Sequence, residues 1–313
     1  MTTTTGFIGL GIMGSGMVRR LITQTGISTD PNSHNLFIWN RSASKSEALK
    51  AEFPTLNITI CPTAADVITN STTIYSMLST PEASAAVFTE SNLSLVTSGK
   101  TLVDCATLQV ADMQKTNALV TTAGGKFLEA PVSGSKGPAI TGTLIFLCGS
   151  SSDSSFNDPW VKTCLAAMGK ASHFLGEVGN GTKAKLVVNS VMGTMLAAYG
   201  EGLNLAESCG IPGATMVEVF QQGACAAPMY GLKGPNMVKE EEERNYDAHF
   251  PLKHAWKDMR FAKALAEEVG VEFGINGRAE ETFAAGDKSG FGELDFSAVL
   301  EEIRKRNRSY PYG

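Results

Sequence analysis

The chain of 313 residues carries a formal net charge of -5, with 43% hydrophobic and 18% charged residues. This composition is typical of a globular protein with a sizeable core, and the lack of a long basic stretch argues against nucleic acid or a membrane surface as a partner. Only residues 1–5 precede the first apolar run, and no apolar stretch approaches the ~20 residues of a membrane span. We expect a cytoplasmic protein that binds a small molecule, although a chain processed from a longer precursor would look the same.

Six cysteines are scattered along the chain, at Cys61, Cys105, Cys148, Cys164, Cys209 and Cys225. They form no Cys-x-x-Cys pair and no zinc-ligand spacing, and a chain of this size needs no disulfides to fold. We predict reduced core residues and no metal site.

Short β-rich runs alternate with helical patterns up to about residue 174. The predicted strands cover residues 7–8, 35–40, 71–78, 101–104, 126–129 and 143–148, and the helical patterns begin at Ile12, Ala43, Ala64, Ala111 and Ser154. Such alternation predicts an α/β domain, with a doubly wound, mostly parallel sheet of the Rossmann type. Residues 26–34 are rich in Ser, Thr, Asn and Pro, which predicts a surface loop.

Beyond the glycine-rich stretch 176–181, strand signals almost vanish. Long helical patterns cover residues 183–209, 212–222, 251–269, 277–288 and 296–304. Pro212 and Pro251 are predicted in first helical turns, where a residue without an N–H is tolerated. The charge block at 239–244 is predicted as a solvated surface. We therefore predict a Rossmann-type domain at residues 1–178 and an all-helical domain at residues 179–313.

The sharpest local motif is a G-x-G-x-x-G that follows the first predicted strand and opens a helix. Its glycines permit a tight turn, a close approach of the backbone to a pyrophosphate, and close packing of helix on strand. The helix N-terminus adds N–H donors and a partial positive charge. We predict a dinucleotide-binding site formed by Gly9, Leu10, Gly11, Ile12, Met13 and Gly14.

The second predicted strand ends in Trp39-Asn40-Arg41-Ser42, which contains no acid. A carboxylate there would bind the ribose 2′-hydroxyl of NAD and repel a 2′-phosphate. Arg41 can instead pair with a phosphate through its planar fork, and Asn40 and Ser42 can add neutral donors. This pattern predicts NADP(H) rather than NAD(H).

Two further segments could bind substrate. Ser133 and Gly134 follow a predicted strand, in a turn whose N–H groups and hydroxyl can hold a carboxylate, although an ordinary loop has the same composition. Lys185 and Asn189 are four residues apart and share one helix face, whereas Lys183 lies well round the cylinder. A lysine in a long apolar helix is usually a surface residue. Spacing alone therefore does not decide whether Lys185 binds a ligand or lies on the surface.

Several motifs occur in a characteristic order along the chain. They are GFIGLGIMG from Gly6, the Asp104-Cys105-Ala106-Thr107 segment, APVSGSKGPA from Ala130, GNGTKAKLVVN from Gly179 and FPLKHAWKDMR from Phe250. Together they resemble the β-hydroxyacid dehydrogenase family, which includes 3-hydroxyisobutyrate dehydrogenase, tartronate semialdehyde reductase and the plant-type glyoxylate/succinic semialdehyde reductases. Ser135 and residues 292–298 look most like the last of these branches. The resemblance covers residues 6–304.

The resemblance implies roles for particular residues. It implies that Lys185 is catalytic and that the substrate is bound by Ser133, Gly134 and Asn189, with Phe250 and Asp258 lining or bracing the site. It implies cofactor contacts from Met77, Leu78, Ser79, Thr107 and Lys257, and homodimers or homotetramers formed through the helical domain. The chain departs from the family in two places. Its 26–34 loop is longer, and Ala106 stands where a serine is common, so one hydrogen bond to cofactor or substrate does not carry over from the family.

Together these features predict NADPH-dependent reduction of a small carboxylate-bearing carbonyl compound such as glyoxylate or succinic semialdehyde. Lys185 would donate the proton as negative charge builds on the carbonyl oxygen. The alternatives are 3-hydroxyisobutyrate dehydrogenase, tartronate semialdehyde reductase and a non-catalytic NADP-binding scaffold. The scaffold would be similar to a nuclear cofactor protein whose dehydrogenase-like domain has lost the lysine. Arg41 argues against an NAD-dependent dehydrogenase, and Lys185 argues against a scaffold.

Overall fold

Six parallel strands form the main sheet of the computed structural model, which describes residues 4–26 and 35–308. The strands are β1 (Thr4–Ile8), β2 (Asn35–Trp39), β3 (Ile58–Ile60), β4 (Thr73–Ser76), β5 (Thr101–Asp104) and β6 (Lys126–Glu129). Their order is β3-β2-β1-β4-β5-β6, with every neighbouring pair parallel. The order reverses at β1, which is the doubly wound Rossmann arrangement.

Helices cover both faces of this sheet. They are α1 (Gly14–Gln24), α2 (Ala43–Glu52), α3 (Ala64–Asn70), α4 (Pro81–Val87), α5 (Glu90–Leu93) and α6 (Val110–Thr122). Because side chains alternate along a strand, the neighbours Phe7 and Ile8 on β1 belong to two different buried hydrophobic clusters. The sheet is therefore buried on both sides.

A smaller sheet follows, with order β7-β8-β9. Its elements are β7 (Val132–Ser133), α7 (Lys136–Thr141), β8 (Leu144–Cys148), α8 (Asp153–Phe156), α9 (Pro159–Met168) and β9 (Gly169–Phe174). The start of α9 has a local cause, since the Asp158 carboxylate accepts the N–H groups of Trp160 at 2.9 Å and Val161 at 3.1 Å. A bridge between Glu129 and Gly149 connects β6 to the segment that follows β8.

Helices dominate the rest of the described chain. They are α10 (Asn180–Ser208), α11 (Gly213–Gln222), α12 (Pro228–Met237), α13 (Leu252–Glu268), α14 (Gly274–Gly286) and α15 (Val299–Arg308). The contacts divide the chain into two units, Met1–Lys185 and Leu186–Gly313, so the first turns of α10 belong to the first unit. The second unit has its own core around Leu203, Met259 and Phe283. No helix within residues 4–26 and 35–308 has the length and apolarity needed to span a bilayer.

The predicted fold class is confirmed, but several details of the prediction are wrong. The short strands β3, β7 and β9 and the helices α4, α5, α7 and α12 were not predicted. Pro212 and Pro251 cap their helices from the preceding position and do not lie in the first turn. Cys209 and Cys225 are exposed, unlike the four buried cysteines. Residues 27–34 of the predicted 26–34 loop lie outside the described residues.

Candidate active site

The carboxyl ends of β1, β2 and β4 meet where the strand order reverses. Ligands of open α/β sheets bind outside the carboxyl ends of the strands at this point. The loop after β1 is tied to both neighbours. Leu10 donates its backbone N–H to Asn40 Oδ1 at 2.8 Å, and a Cβ on Gly9 would lie 2.5 Å from the Met77 carbonyl oxygen. The structure therefore brings the glycine loop together with the predicted segments after β2 and β4.

The three motif glycines differ in what a side chain would meet. Gly9 has a φ of +97°, which favours glycine, and a Cβ on Gly14 would collide with the Gly9 carbonyl oxygen. A Cβ on Gly11, by contrast, would meet no described atom within 4 Å. The fold therefore requires glycine at Gly9 and Gly14. Gly11 instead leaves open space beside the N-terminus of α1, whose first turn carries no acid. This cradle fits the pyrophosphate of a dinucleotide.

Asn40, Arg41 and Ser42 differ in their surroundings. The Asn40 amide accepts from Leu10 at 2.8 Å and donates to the Ser42 carbonyl oxygen at 3.0 Å. Arg41 and Ser42 are exposed. Both ends of the Asn40 amide thus shape the loop, and Arg41 and Ser42 are the members of the predicted 2′-phosphate site that face solvent.

The predicted cofactor residues after β4 and β5 are Met77, Leu78, Ser79 and Thr107. Met77, Leu78 and Thr107 are half-buried, and Ser79 is exposed. The two strand ends are joined by the buried Asp104, whose Oδ1 accepts from the Ser76 hydroxyl at 2.8 Å and from the Ala106 N–H at 3.1 Å. The Asp104 side chain therefore fixes the backbone that leads to Thr107.

The Asp104 carboxyl is itself unusual. It is 1% exposed, and its Oδ2 atom has no hydrogen-bond partner among the described residues. Burial raises the pKa of Asp104 to about 6, against the lowering effect of its hydrogen bonds with Ala106 and Ser76.

The predicted carboxylate turn begins inside the small sheet. Ser133 pairs with Ile145 and is half-buried, whereas Gly134 is exposed and has a φ of +131°. Ser133 is thus the last residue of a strand, whereas we predicted that it lies in an exposed turn beyond the strand. The helix α7 after this turn packs closely on α1, since a Cβ on Gly16 would lie 2.9 Å from the Ala139 carbonyl carbon.

Lys185 lies in the second turn of α10. Its exposed fraction is 5%, whereas Lys183 is exposed. The interpretation of Lys185 as a surface residue is therefore wrong. Asn189, four residues later on the same helix face, is 3% exposed.

In the helical unit, Asn189 belongs to a buried polar cluster with α13. Its Nδ2 donates to Asp258 Oδ2 at 2.6 Å, and Lys257 Nζ lies 2.9 Å from Asp258 Oδ1. The same ammonium lies 5.2 Å from the centre of the Phe261 ring. Asp258 therefore fixes the Asn189 amide through a hydrogen bond and forms an ion pair with Lys257.

Phe250 precedes α13 and is held through its backbone. The buried Asp295 accepts the N–H groups of His249 at 3.1 Å and Phe250 at 3.3 Å, and pairs with Lys233 Nζ at 2.8 Å. Phe296 donates its N–H to the Phe250 carbonyl oxygen at 2.8 Å. From the sequence, residues 292–298 were notable only for their similarity to one branch of the family. In the structure, this segment fixes the backbone around Phe250.

Sequence reasoning missed the structural roles of Glu129, Asp104 and Asp295. Each is a buried acid that accepts several N–H or O–H donors. The available signal was an acid at the end of an apolar strand in the first two cases, because such a residue is seldom buried without partners.

Two family models match consecutive parts of the chain. Residues 4–179 match the NAD binding domain of 6-phosphogluconate dehydrogenase, and residues 179–303 match the NAD-binding model of NADP-dependent 3-hydroxyisobutyrate dehydrogenase. Both parts of the chain are therefore related to nicotinamide-dinucleotide-binding domains.

Known proteins are similar along most of the chain. Glyoxylate/succinic semialdehyde reductase 1 of Arabidopsis thaliana is 38% identical over 96% of this chain and 98% of that protein. The chloroplastic reductase 2 of the same plant is 39% identical over 97% of this chain and 80% of that protein. A solved structure of Mycobacterium tuberculosis 3-hydroxyisobutyrate dehydrogenase with L-serine has a TM-score of 0.81 and 23% identity, over 97% of this chain and 100% of that one, which supports the fold.

The family models and the open glycine loop agree with the predicted cofactor, NADP(H). The identities of 38% and 39% extend over nearly all of the chain. The chain therefore belongs to the β-hydroxyacid dehydrogenase family of NAD(P)-dependent oxidoreductases.

Proposed function

We propose that the protein uses NADPH to reduce the carbonyl group of a small aldehyde or keto acid, converting glyoxylate to glycolate and succinic semialdehyde to 4-hydroxybutyrate. The observation that carries the proposal is the buried Lys185, one turn before the buried Asn189 on the same face of α10. The printed names of the two Arabidopsis relatives support this substrate class.

The chemistry requires a proton donor, because hydride addition to a carbonyl carbon builds negative charge on the oxygen. When bound, the nicotinamide supplies that hydride. Lys185 Nζ donates a proton to the carbonyl oxygen, which completes the alcohol, and regains a proton from solvent. Asn189 orients the substrate, since its hydrogen bond to Asp258 restricts rotation of the amide.

The carboxylate of the substrate requires a second anchor. In this proposal the Ser133 hydroxyl and the N–H of Gly134 bind it, and Phe250 contributes an apolar wall. The half-buried position of Ser133 at the end of β7 and the exposed position of Gly134 support this role, because a hydroxyl and a backbone N–H can both donate to a carboxylate. Lys257 remains a proposed cofactor ligand.

A scaffold that only binds NADP is the alternative from another class. The presence of Lys185, buried on the same face of α10 as Asn189, favours an enzyme, since the scaffold would lack this lysine. The related enzyme functions, 3-hydroxyisobutyrate dehydrogenase and tartronate semialdehyde reductase, would use the same lysine and differ in the substrate.

Steady-state kinetics with a panel of carbonyl acids separates these functions. The panel contains glyoxylate, succinic semialdehyde, tartronate semialdehyde and methylmalonate semialdehyde, each with NADPH and with NADH. We expect the highest kcat/KM for glyoxylate or succinic semialdehyde with NADPH. A clear preference for either of the other two substrates would replace the proposed activity. NADPH binding without turnover of any substrate would support the scaffold.

A further inference from the structure

We infer that Glu129 is a positioning residue for Lys185, because its carboxylate fixes the start of the helix that carries the lysine. This inference rests on the proposed function, in which Lys185 donates the proton. Glu129 is the last residue of β6. Both β6 and the first turns of α10, through Lys185, belong to the first unit.

Three hydrogen bonds join the Glu129 carboxylate to the beginning of α10. Its Oε1 accepts the backbone N–H groups of Gly179 at 2.6 Å and Gly181 at 2.8 Å, and its Oε2 accepts the Thr182 hydroxyl at 2.6 Å. These donors include N–H groups that a helix leaves without a partner in its first turn. The cap therefore comes from a strand about 50 residues earlier, and not from the residue that precedes the helix.

The carboxylate cannot easily move away from this place. The Glu129 backbone exchanges two hydrogen bonds with Gly149, at 2.9 and 3.0 Å. Gly149 has no room for a side chain, since its Cβ would lie in contact with Glu129 Oε1 and 2.7 Å from the Glu177 carbonyl oxygen. A Cβ on Gly181 would likewise collide with the Leu147 carbonyl oxygen. The helix end thus packs directly on the strands, with its glycine at the closest point.

Electrostatics favours the same arrangement. A negative charge at a helix N-terminus is stabilised by the helix dipole, and charged hydrogen bonds compensate a buried carboxylate for lost water. Glu129 is fully buried, and burial raises the pKa of its carboxyl, while the bonds from Thr182, Gly179 and Gly181 act in the opposite direction. Cys148 is a titratable neighbour, and the Glu129 charge adds to the rise in its pKa that burial causes.

The helix transmits this anchoring to Lys185. Thr182 and Lys185 are three residues apart and therefore share a face of α10, which continues to Asn189. An α-helix is stiff over one turn, so a shift or rotation at Thr182 displaces the ammonium by a similar amount. Misplacing a catalytic group by about 1 Å can cost about 10²-fold in rate.

The test uses the full chain and three variants of this contact. Glu129→Gln keeps the shape but removes the charge and one acceptor, Thr182→Val removes one donor, and Thr182→Ser restores the hydroxyl. Asp158→Asn is the matched control, because Asp158 caps α9, which carries no proposed site residue. For each variant we would measure the melting temperature, the KM for NADPH and kcat for glyoxylate.

We expect Glu129→Gln and Thr182→Val to lower kcat about 10- to 100-fold with the KM for NADPH within about twofold, and Thr182→Ser to recover most of kcat. Asp158→Asn keeps the oxygen that accepts both cap bonds, so it should change the melting temperature little and leave kcat unchanged. Normal kcat in both Glu129→Gln and Thr182→Val would overturn the inference, as would a loss of kcat in Asp158→Asn of the same size. If Lys185→Ala loses turnover while Glu129→Gln does not, only this inference fails. If Lys185→Ala is fully active, the proposed function fails with it.

Discussion

Arg41 lies in the segment that follows β2, where NAD-dependent Rossmann proteins carry an acid and this chain has none. It is exposed, and the neighbouring Asn40 is engaged by Leu10 and Ser42. We predict that Arg41→Asp lowers kcat/KM for NADPH by about 2 to 4 kcal/mol in transition-state free energy, because a charged pair is lost and repulsion is added. The kcat/KM for NADH should change far less.

Lys50→Asp makes the same charge change near the end of α2 and is the control for Arg41. Parallel steady-state measurements with both coenzymes check the prediction. Equal losses with NADPH and NADH would show that coenzyme choice does not depend on Arg41.

Asp104 should make the stability of the fold depend on pH. Its pKa is about 6 in the fold and near the ordinary value of 3.8 in the unfolded chain, so the folded state binds the proton more tightly. Its contribution is therefore largest below pH 4 and is lost as the pH rises toward 6, by up to about 3 kcal/mol.

Asp104→Asn isolates this effect. The amide keeps an acceptor for Ser76 and Ala106, but it buries a donor where Oδ2 lacked a partner, which costs about 1 to 3 kcal/mol at every pH. The stability advantage of the wild type over this variant should therefore shrink between pH 4.5 and 6.5 in urea unfolding experiments. A constant difference across this range would mean that Asp104 ionises normally.

The sequence predicts contacts between residues that are close together in the chain better than contacts between residues that are far apart in it. The Lys185–Asn189 face follows from helical spacing, and Gly9 and Gly14 follow from a local motif. The bonds of Glu129 to Thr182 and of Asp295 to Phe250 join residues 53 and 45 positions apart. No local pattern encodes such pairs, because they depend on how the strands and helices pack.

Among the elements, the glycine loop offers a sharp contrast between two similar substitutions. Gly11→Ala places a methyl group where no described atom lies within 4 Å, whereas Gly14→Ala places one against the Gly9 carbonyl oxygen. We expect Gly11→Ala to fold normally and to weaken NADPH binding at least tenfold, since the methyl group would fill the pyrophosphate space. Gly14→Ala should destabilise the fold by about 1 to 3 kcal/mol.

Thermal melts without NADPH, combined with fluorescence titration of NADPH, separate the two effects. Wild-type affinity in a well-folded Gly11→Ala protein would place the pyrophosphate elsewhere.

The elements that the sequence did not predict share weak patterns. The β9 sequence GKASHF alternates poorly, and its residues are half-buried or exposed. The α12 sequence PMYGLKGPNM contains two glycines and an internal proline, which disfavour a helix, yet it buries Tyr230 and Met237 in the core. Tertiary packing decides the structure at such places, whereas long periodic segments such as α10 and α13 could be predicted from sequence.

For the whole molecule, the sequence pattern predicted the architecture. Strands alternate with helices in the first part and helices follow alone in the second, and each of these patterns has few compact arrangements.

The oligomeric state does not follow from this pattern. We propose a homodimer or homotetramer, in which a second copy covers an exposed apolar stripe on α10. Val187, Val191 and Met195 are spaced by four residues along this stripe and are 58%, 48% and 36% exposed.

Sedimentation velocity at micromolar concentration tests the assembly. The wild type should sediment as a dimer or tetramer, and Val191→Glu should shift it toward monomer, since apolar patches of this kind usually mark an interface. Val219→Glu on α11, at a similarly exposed valine, is the control. A monomeric wild type would contradict the proposal.

The central claim, that Lys185 donates the proton in carbonyl reduction, is tested most directly by kcat in lysine variants together with NADPH affinity. Lys185→Ala should lower kcat about 10²-fold or more while NADPH binds normally, and Lys185→Arg should restore little because arginine does not release a proton near neutral pH. Lys183→Ala, on the exposed side of α10, should retain wild-type turnover. If Lys185→Ala instead keeps normal kcat and loses NADPH binding, the lysine is a cofactor ligand and the claim is wrong.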